Sequence, residues 1–274
     1  MRPIFYLILF LLFSSTSSSR SQASEINPGK LLVTGSSTMC PLIDEIGKRF
    51  ESLHKNVKVE VQCGGSGRGV SDARDGKADI GMASRALTEK EKDLYGFPIA
   101  RDGISVILHR DNPVNSLSNA QVASIYTGKI ANWKEVGGHD ARITVVNPQK
   151  GYSSVELFTH YFKIGYEDIK ASVIAGDNPT RIKALVEDPN AIAYISAGEA
   201  DRNARTGVPI KPLPFNNVMP TGRNIITGNY PITRPLILVT KELPKGVVKE
   251  FIDYCLSPAV VDLIEKFDFV TYMD

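Results

Sequence analysis

The chain has 274 residues, 42% hydrophobic and 23% charged, a composition that suits one large or two medium globular domains. Its 32 basic and 30 acidic residues are well mixed along the chain, which argues against a nucleic-acid binder, since such proteins carry a basic excess. Three cysteines without C-x-x-C spacing and four scattered histidines suggest neither a zinc site nor a thiol redox motif, so no metal and no cofactor is expected.

Residues 1–23 differ from the rest. Arg2 supplies a minimal positive start, Ile4 to Phe13 form an apolar run, and a Ser-rich stretch ends at Ser21-Gln22-Ala23. This pattern resembles a secretory signal peptide cleaved near Ala23, and its apolar run is too short to anchor the chain across a bilayer. Its removal takes away Arg2 and Arg20 and no acid, so the basic residues fall from 32 to 30 and equal the 30 acidic ones. Any anion selectivity must then come from a local site.

Lys30 to Val33 reads as a short buried strand, and Leu42, Ile43, Ile46, Phe50 and Leu53 recur at helical spacing after it. Between them lies Gly35-Ser36-Ser37-Thr38. A helix start leaves N–H groups unpaired and carries partial positive charge, so hydroxyls at such a turn suit an oxyanion. The plain alternative is a helix cap, a common role for Ser and Thr. The alternating Val57 to Gln62 reads as a second strand, ending in Cys63-Gly64-Gly65-Ser66-Gly67-Arg68-Gly69 before a helix that runs to about Asp75. This turn fits neither the dinucleotide fingerprint, the Walker A loop nor the nucleophile elbow. Neighbouring first and second strands would bring Cys40 and Cys63 together beside the site. Whether they bond stays open. Cys255, in an apolar helix, is expected buried and unpaired.

Ala78 to Arg85 reads as a third strand ending in Ser84 and Arg85, and Ile104 to Leu108 as a buried one. Ser118 caps a short helix to about Tyr126, and Trp133 lies in a loop. Ile143 to Val146 is a strand leading through Gly151-Tyr152-Ser153-Ser154 into a helix from Val155 to Phe162, the third Gly/Ser turn of this kind. A helix over Thr180 to Glu187, strands at Ala191 to Ile195 and Pro235 to Thr240, and helices from Val247 to Lys266 complete the pass. The alternation argues for α/β layers with mostly parallel sheets, whose ligands bind beyond the carboxyl ends of strands. About a hundred residues separate the third turn from the first two, as expected if two lobes share one cleft.

Six stretches together resemble the phosphate-binding proteins of bacterial phosphate ABC importers. They are the Gly35 turn, the Gly65 turn, Ala78-Asp79-Ile80-Gly81-Met82-Ala83-Ser84-Arg85, Ile125-Tyr126-Thr127-Gly128-Lys129-Ile130-Ala131-Asn132-Trp133, the Gly151 turn, and Gly228-Asn229-Tyr230-Pro231-Ile232-Thr233-Arg234-Pro235-Leu236. The Asn132-Trp133 and Tyr230 to Leu236 stretches are the most specific and read as structural. The resemblance implies a two-lobed periplasmic-binding-protein fold of type II, with 25–106 plus 226–274 as lobe one and 107–225 as lobe two. It implies an oxyanion, above all inorganic phosphate, bound by Ser36, Ser37, Thr38, Gly65, Ser66, Gly67, Ser84, Arg85, Gly151, Tyr152, Ser153 and Ser154. A periplasmic monomer that hands its ligand to an ABC permease is the implied setting, with no catalysis. Two departures stand out: Ser84 occupies the place of a frequent family aspartate, and Pro148 that of a family arginine. Arg85, Lys150 and Arg68 are the candidates for the missing charge, with Arg85 favoured as ligand or cleft-closing residue.

Two alternatives are carried. A sensor or adhesion module of the same fold with altered binding is motivated by Pro148. A secreted serine hydrolase would need a base beside Ser37, Ser66 or Ser154, and His160, six residues past Ser154 on one helix, is poorly placed to serve.

Overall fold

The computed structural model describes residues 29–272, and the leader over 1–23 lies outside the described residues. The strands are β1 (Gly29–Ser36), β2 (Val57–Gly64), β3 (Ile80–Ala83), β4 (Tyr95–His109), β5 (Thr144–Asn147), β6 (Val173–Ile174), β7 (Ala191–Ser196), β8 (Ile210–Pro212), β9 (Thr233–Thr240) and β10 (Val270–Thr271). The helices are α1 (Cys40–Leu53), α2 (Ser66–Arg74), α3 (Asn119–Tyr126), α4 (Ser153–Phe162), α5 (Asn178–Glu187), α6 (Ala197–Arg205), α7 (Gly222–Ile226), α8 (Gly246–Cys255) and α9 (Val261–Lys266). Among the described residues no helix is long and apolar enough to cross a membrane.

The strands run in the order β2-β1-β3-β9-β4-β7-β5-β6, with β8 and β10 paired to β4. The outer strands on each side are parallel, and the central β3, β9, β4 and β7 pair antiparallel. The sheets are therefore mixed at the centre, where the chain returns through β9. β4 is the strand shared by both halves: residues up to Gly103 pair with β9, and Ile104 to Leu108 pair with β7.

Each half has its own core. Leu31, Val33, Ile80 and Leu236 meet the apolar stripes of α1, α8 and α9. Ile104, Val106, Ile192 and Tyr194 meet α3 and α4. Smaller clusters, under α2 in the first half and α5 and α6 in the second, cover the opposite faces. Helices on both faces of each sheet explain why these strands read as continuous apolar runs. Local signals set the ends: Ser118 caps α3, Asp177 caps α5, and Pro41 sits in the first turn of α1. Trp133 packs in the second core with its indole N–H on the Asn190 carbonyl at 2.9 Å, and Asp79 accepts the Leu32 N–H at 2.8 Å.

β1 and β2 pair along their full length, with Gly35 opposite Cys63. That register puts Cys40 and Cys63 at a Cα separation of 5.6 Å, and they are bonded. Cys255 is buried and free, and burial pushes its thiol pKa up.

Candidate functional site

Three helices begin at one small cavity. It is lined by Ser36, Ser37 and Thr38 before α1, Ser66 at the start of α2, Tyr152, Ser153 and Ser154 at the start of α4, and two arginines, Arg181 of α5 and Arg234 of β9. Its free volume is about 10 Å³, about the room that one water needs. The close assembly of these elements rests on glycine. Gly35 has φ +128°, and a Cβ there would lie 2.4 Å from the Met82 carbonyl oxygen and 2.7 Å from Gly69 Cα. Only a bare backbone lets α2 sit this low on β1 and β3.

The two arginines are the charged groups on the lining, and both are buried. Arg234 makes an ion pair with the fully buried Asp102 of β4, through Nε at 3.1 Å and Nη2 at 2.7 Å. It also donates to Thr38 Oγ1 at 3.1 Å in its own half and, across the cleft, to Ser153 Oγ at 3.2 Å. Arg181 is held differently. Its guanidinium donates to the Tyr194 carbonyl, to Asn178 Oδ1 at 2.6 Å, to the Asp177 carbonyl at 3.2 Å and to Ser154 Oγ at 3.4 Å. All four acceptors are neutral. Burial lowers its pKa to about 10, which leaves it charged at neutral pH. The buried carboxylate of Glu199, whose charge acts on Arg181, accepts from the amide of Asn178 at 2.7 Å, and burial raises its pKa.

The sequence-predicted residues divide into three groups. Ser36, Ser37, Thr38, Ser66, Tyr152, Ser153 and Ser154 line the cavity. Gly65, Gly67 and Gly151 form the contact between halves: the Gly67 N–H donates to the Gly151 carbonyl at 3.1 Å, and a Cβ on Gly65 would lie 2.4 Å from that same oxygen. Ser84 and Arg85 are off the lining. Ser84, fully buried, stands behind the first turn, with its hydroxyl on Ser36 Oγ and its N–H donating to Ser66 Oγ at 3.0 Å. Arg85 is bound by two carboxylates, Glu91 through both oxygens at 2.7 and 2.8 Å and Glu156 of α4 at 2.7 Å. Its charge is spent on protein groups, one of which, Glu156, belongs to the other half. The other candidates are also occupied elsewhere: Arg68 pairs with Asp72, and Lys150 with Glu167.

Arg181 and Arg234 were not among the predicted site residues. Arg234 sits in the Tyr230 to Leu236 stretch that reads as structural, and Arg181 in a helix whose apolar spacing drew the reading. A polar residue at a position that the spacing buries is the available signal: Arg181 lies one residue before buried Ile182 and four before buried Leu185. Pro148 is buried and donates no charge, and Arg181 brings the cation in from another element.

Two α/β halves that close over buried cations and helix starts describe a binding protein of the two-lobed type. The model of the PBP superfamily domain matches residues 16–259. The phosphate-binding protein PstS of Bacillus subtilis is 32% identical over 88% of this chain and 80% of its own length. The same match to solved structures extends to a Clostridium perfringens protein described as a phosphate ABC transporter substrate-binding protein and solved with bound phosphate, at 32% identity and TM-score 0.82, covering 89% of this chain and 99% of that one. An ABC-type phosphate transport receptor of Vibrio cholerae aligns at 28% identity and TM-score 0.72, covering 89% and 100%. The chain belongs to the PBP superfamily and, within it, to the family of phosphate-binding PstS proteins. The fold is thus the type II arrangement expected from the resemblance, and the family is one of binding proteins rather than enzymes.

Proposed function

We propose that the chain captures inorganic phosphate between its two lobes and delivers it to the permease of an ABC importer. The observation that carries this reading is Arg181, a buried guanidinium with only neutral acceptors around it. A buried charge left without a counter-ion costs several kcal/mol, and an anion in the adjoining cavity supplies the counter-ion. Helix starts at Ser66 and Ser153 add their dipoles to the same point. The ligand set in this reading is Ser36, Ser37, Thr38, Ser66, Tyr152, Ser153 and Ser154 with Arg181 and Arg234.

Lobe one takes the chain to Gly103 and resumes at Thr233, and lobe two is the segment between, since the cores divide there and Ile104 donates to the Ile232 carbonyl at 3.0 Å. In this reading the first crossing falls three residues before the 106/107 boundary read from the sequence and the second seven residues after the 225/226 boundary. Lobe closure is a hinge motion about them. Export by the leader, cleavage near Ala23, a periplasmic location and a monomeric state complete the reading. The family relationship and the two buried cations weigh against a lobe pair that has lost its ligand. The hydrolase reading lacks a base, because His160 of α4 is exposed and does not line the cavity.

Calorimetry of the purified protein with phosphate tests the proposal. Saturable binding that disappears in Arg181→Met supports it, and an absence of heat with the unaltered protein overturns it.

A further inference from the structure

One buried amide separates Arg181 from a buried carboxylate. Asn178 and Arg181 lie three positions apart on α5 and therefore share a face. Arg181 Nη2 donates to Asn178 Oδ1 at 2.6 Å, while the other acceptors of the guanidinium are met through Nε and Nη1. On its far side the same amide donates from Nδ2 to Glu199 Oε2 at 2.7 Å and, at 3.4 Å, to Thr38 Oγ1 of the other half. Asn178, Arg181 and Glu199 are all buried. Their chemistry fixes which way the amide points. A guanidinium only donates, so it takes the amide oxygen, and an ionised carboxylate only accepts, so it takes the nitrogen. Glu199 thus meets the amide and not the guanidinium, although its charge acts on Arg181.

A carboxylate seated directly on Arg181 would cancel its charge, as Glu91 and Glu156 do for Arg85. An amide gives the same hydrogen bond without that charge. We propose that Asn178 is a positioning residue for anion capture: it holds the Arg181 guanidinium by a neutral bond and keeps Glu199 one side chain away, so that the positive charge stays available to the ligand. This rests on the phosphate-binding reading above. Asn178 acts through Arg181, and its bond to Thr38 ties the same amide to the opposite wall of the cleft.

The test exchanges the two groups. Asn178→Asp combined with Glu199→Gln keeps the net charge and nearly the shape, and moves the carboxylate onto Arg181. Calorimetry with phosphate and thermal unfolding of the ligand-free protein read the result. The phosphate Kd should rise by about tenfold or more, the low end of measured couplings between close charges. The melting temperature should stay level or rise, because Arg181 gains a counter-ion. Asn178→Ala, which removes the amide and adds no charge, should weaken binding less than the exchange does. Glu199→Gln alone keeps the amide and removes the distant negative charge, so it should tighten binding. An exchanged protein that binds phosphate as tightly as the unaltered chain overturns the inference and leaves the phosphate reading standing. A loss in Asn178→Ala as large as that of the exchange, or a loss in the exchange that comes with a lower melting temperature, marks Asn178 as packing and also overturns it. If the exchanged chain does not fold, Glu199→Gln decides, and weaker binding there overturns the inference. Failure of the unaltered chain to bind phosphate overturns both readings.

Discussion

Arg85 and Arg181 present the same side chain in two balanced but opposite settings. Arg85 ends a strand at the cleft edge, where a ligand-binding arginine is expected, yet Glu91 and Glu156 neutralise it. Arg181 lies in the middle of a helix, fully buried, yet the oxygens around it are all neutral. Position in the fold therefore does not identify the ligand-binding cation. Charge balance does: a cation already paired inside the protein contributes to stability, and one held by neutral dipoles contributes to anion affinity. Arg234 falls between them, with one carboxylate and two hydroxyls, of which that of Ser153 lies across the cleft.

The largest effect that would sharpen this contrast is on affinity. Arg181→Met keeps most of the buried volume and removes the charge. It should weaken phosphate binding by about 3–5 kcal/mol, the scale for truncating one partner of a buried charge pair. Arg85→Met should change phosphate affinity by about 1 kcal/mol or less, because its partners are protein carboxylates. Calorimetry on the two variants that gave equal losses would break the comparison.

The disulfide tests the frame beneath both arginines. Cys40 and Cys63 close a loop of 23 residues, so replacing both by serine should lower stability by about 3 kcal/mol. Denaturant unfolding reads this directly. Affinity should fall far less than in Arg181→Met, since neither sulfur lines the cavity.

Much of this frame is legible in the sequence. The apolar spacing of α1, the alternation of β2 and the Ser118 cap each follow from a local pattern, and they recur in the structure at nearly the expected residues. The hydroxyl turns are legible too, because the same Gly/Ser run between strand and helix occurs three times. The cations are not. Which arginine finds a carboxylate depends on residues far away in sequence: Glu156 is 71 positions from Arg85, and Asp102 is 132 positions from Arg234. α6 escaped for a different reason, since it buries the four consecutive residues Ala197 to Ala200 of its first turn rather than an apolar stripe at helical spacing.

Acid should act on the Arg85 cluster before any ligand is considered. The Arg85 hydrogen bonds, opposed by burial, bring the Glu91 pKa from its ordinary 4.5 down to about 2. A depressed carboxylate adds stability that is complete above its unfolded value and is lost as pH falls through its folded value. The contribution of Glu91, on the order of 2 kcal/mol after solvent screening, should therefore disappear between about pH 4.5 and 2. Thermal unfolding of the ligand-free protein across that window should show a steeper decline in the unaltered chain than in Glu91→Gln. Matching slopes would mean that the Arg85 cluster is not a stability element.

The smallest effect belongs to the one contact of Arg85 that spans the cleft. Glu156 is on α4, which also carries Ser153 and Ser154, while Arg85 follows β3 of the other half. Their ion pair at 2.7 Å forms when the halves are together, so it favours the closed state. Glu156 has a side chain 47% exposed, and an ion pair that wet is worth below about 1 kcal/mol. Burial raises its pKa against the pull of Arg85, which lowers its net contribution further. Glu156→Gln keeps the shape and removes the charge. It should weaken phosphate binding by less than about fivefold, with the change in the dissociation rate rather than the association rate, because the pair is absent until closure. Stopped-flow measurement of both rates checks this. A faster association with unchanged dissociation would show that Glu156 acts on the approaching anion by repelling it, and the contact would then belong to ligand steering rather than to closure.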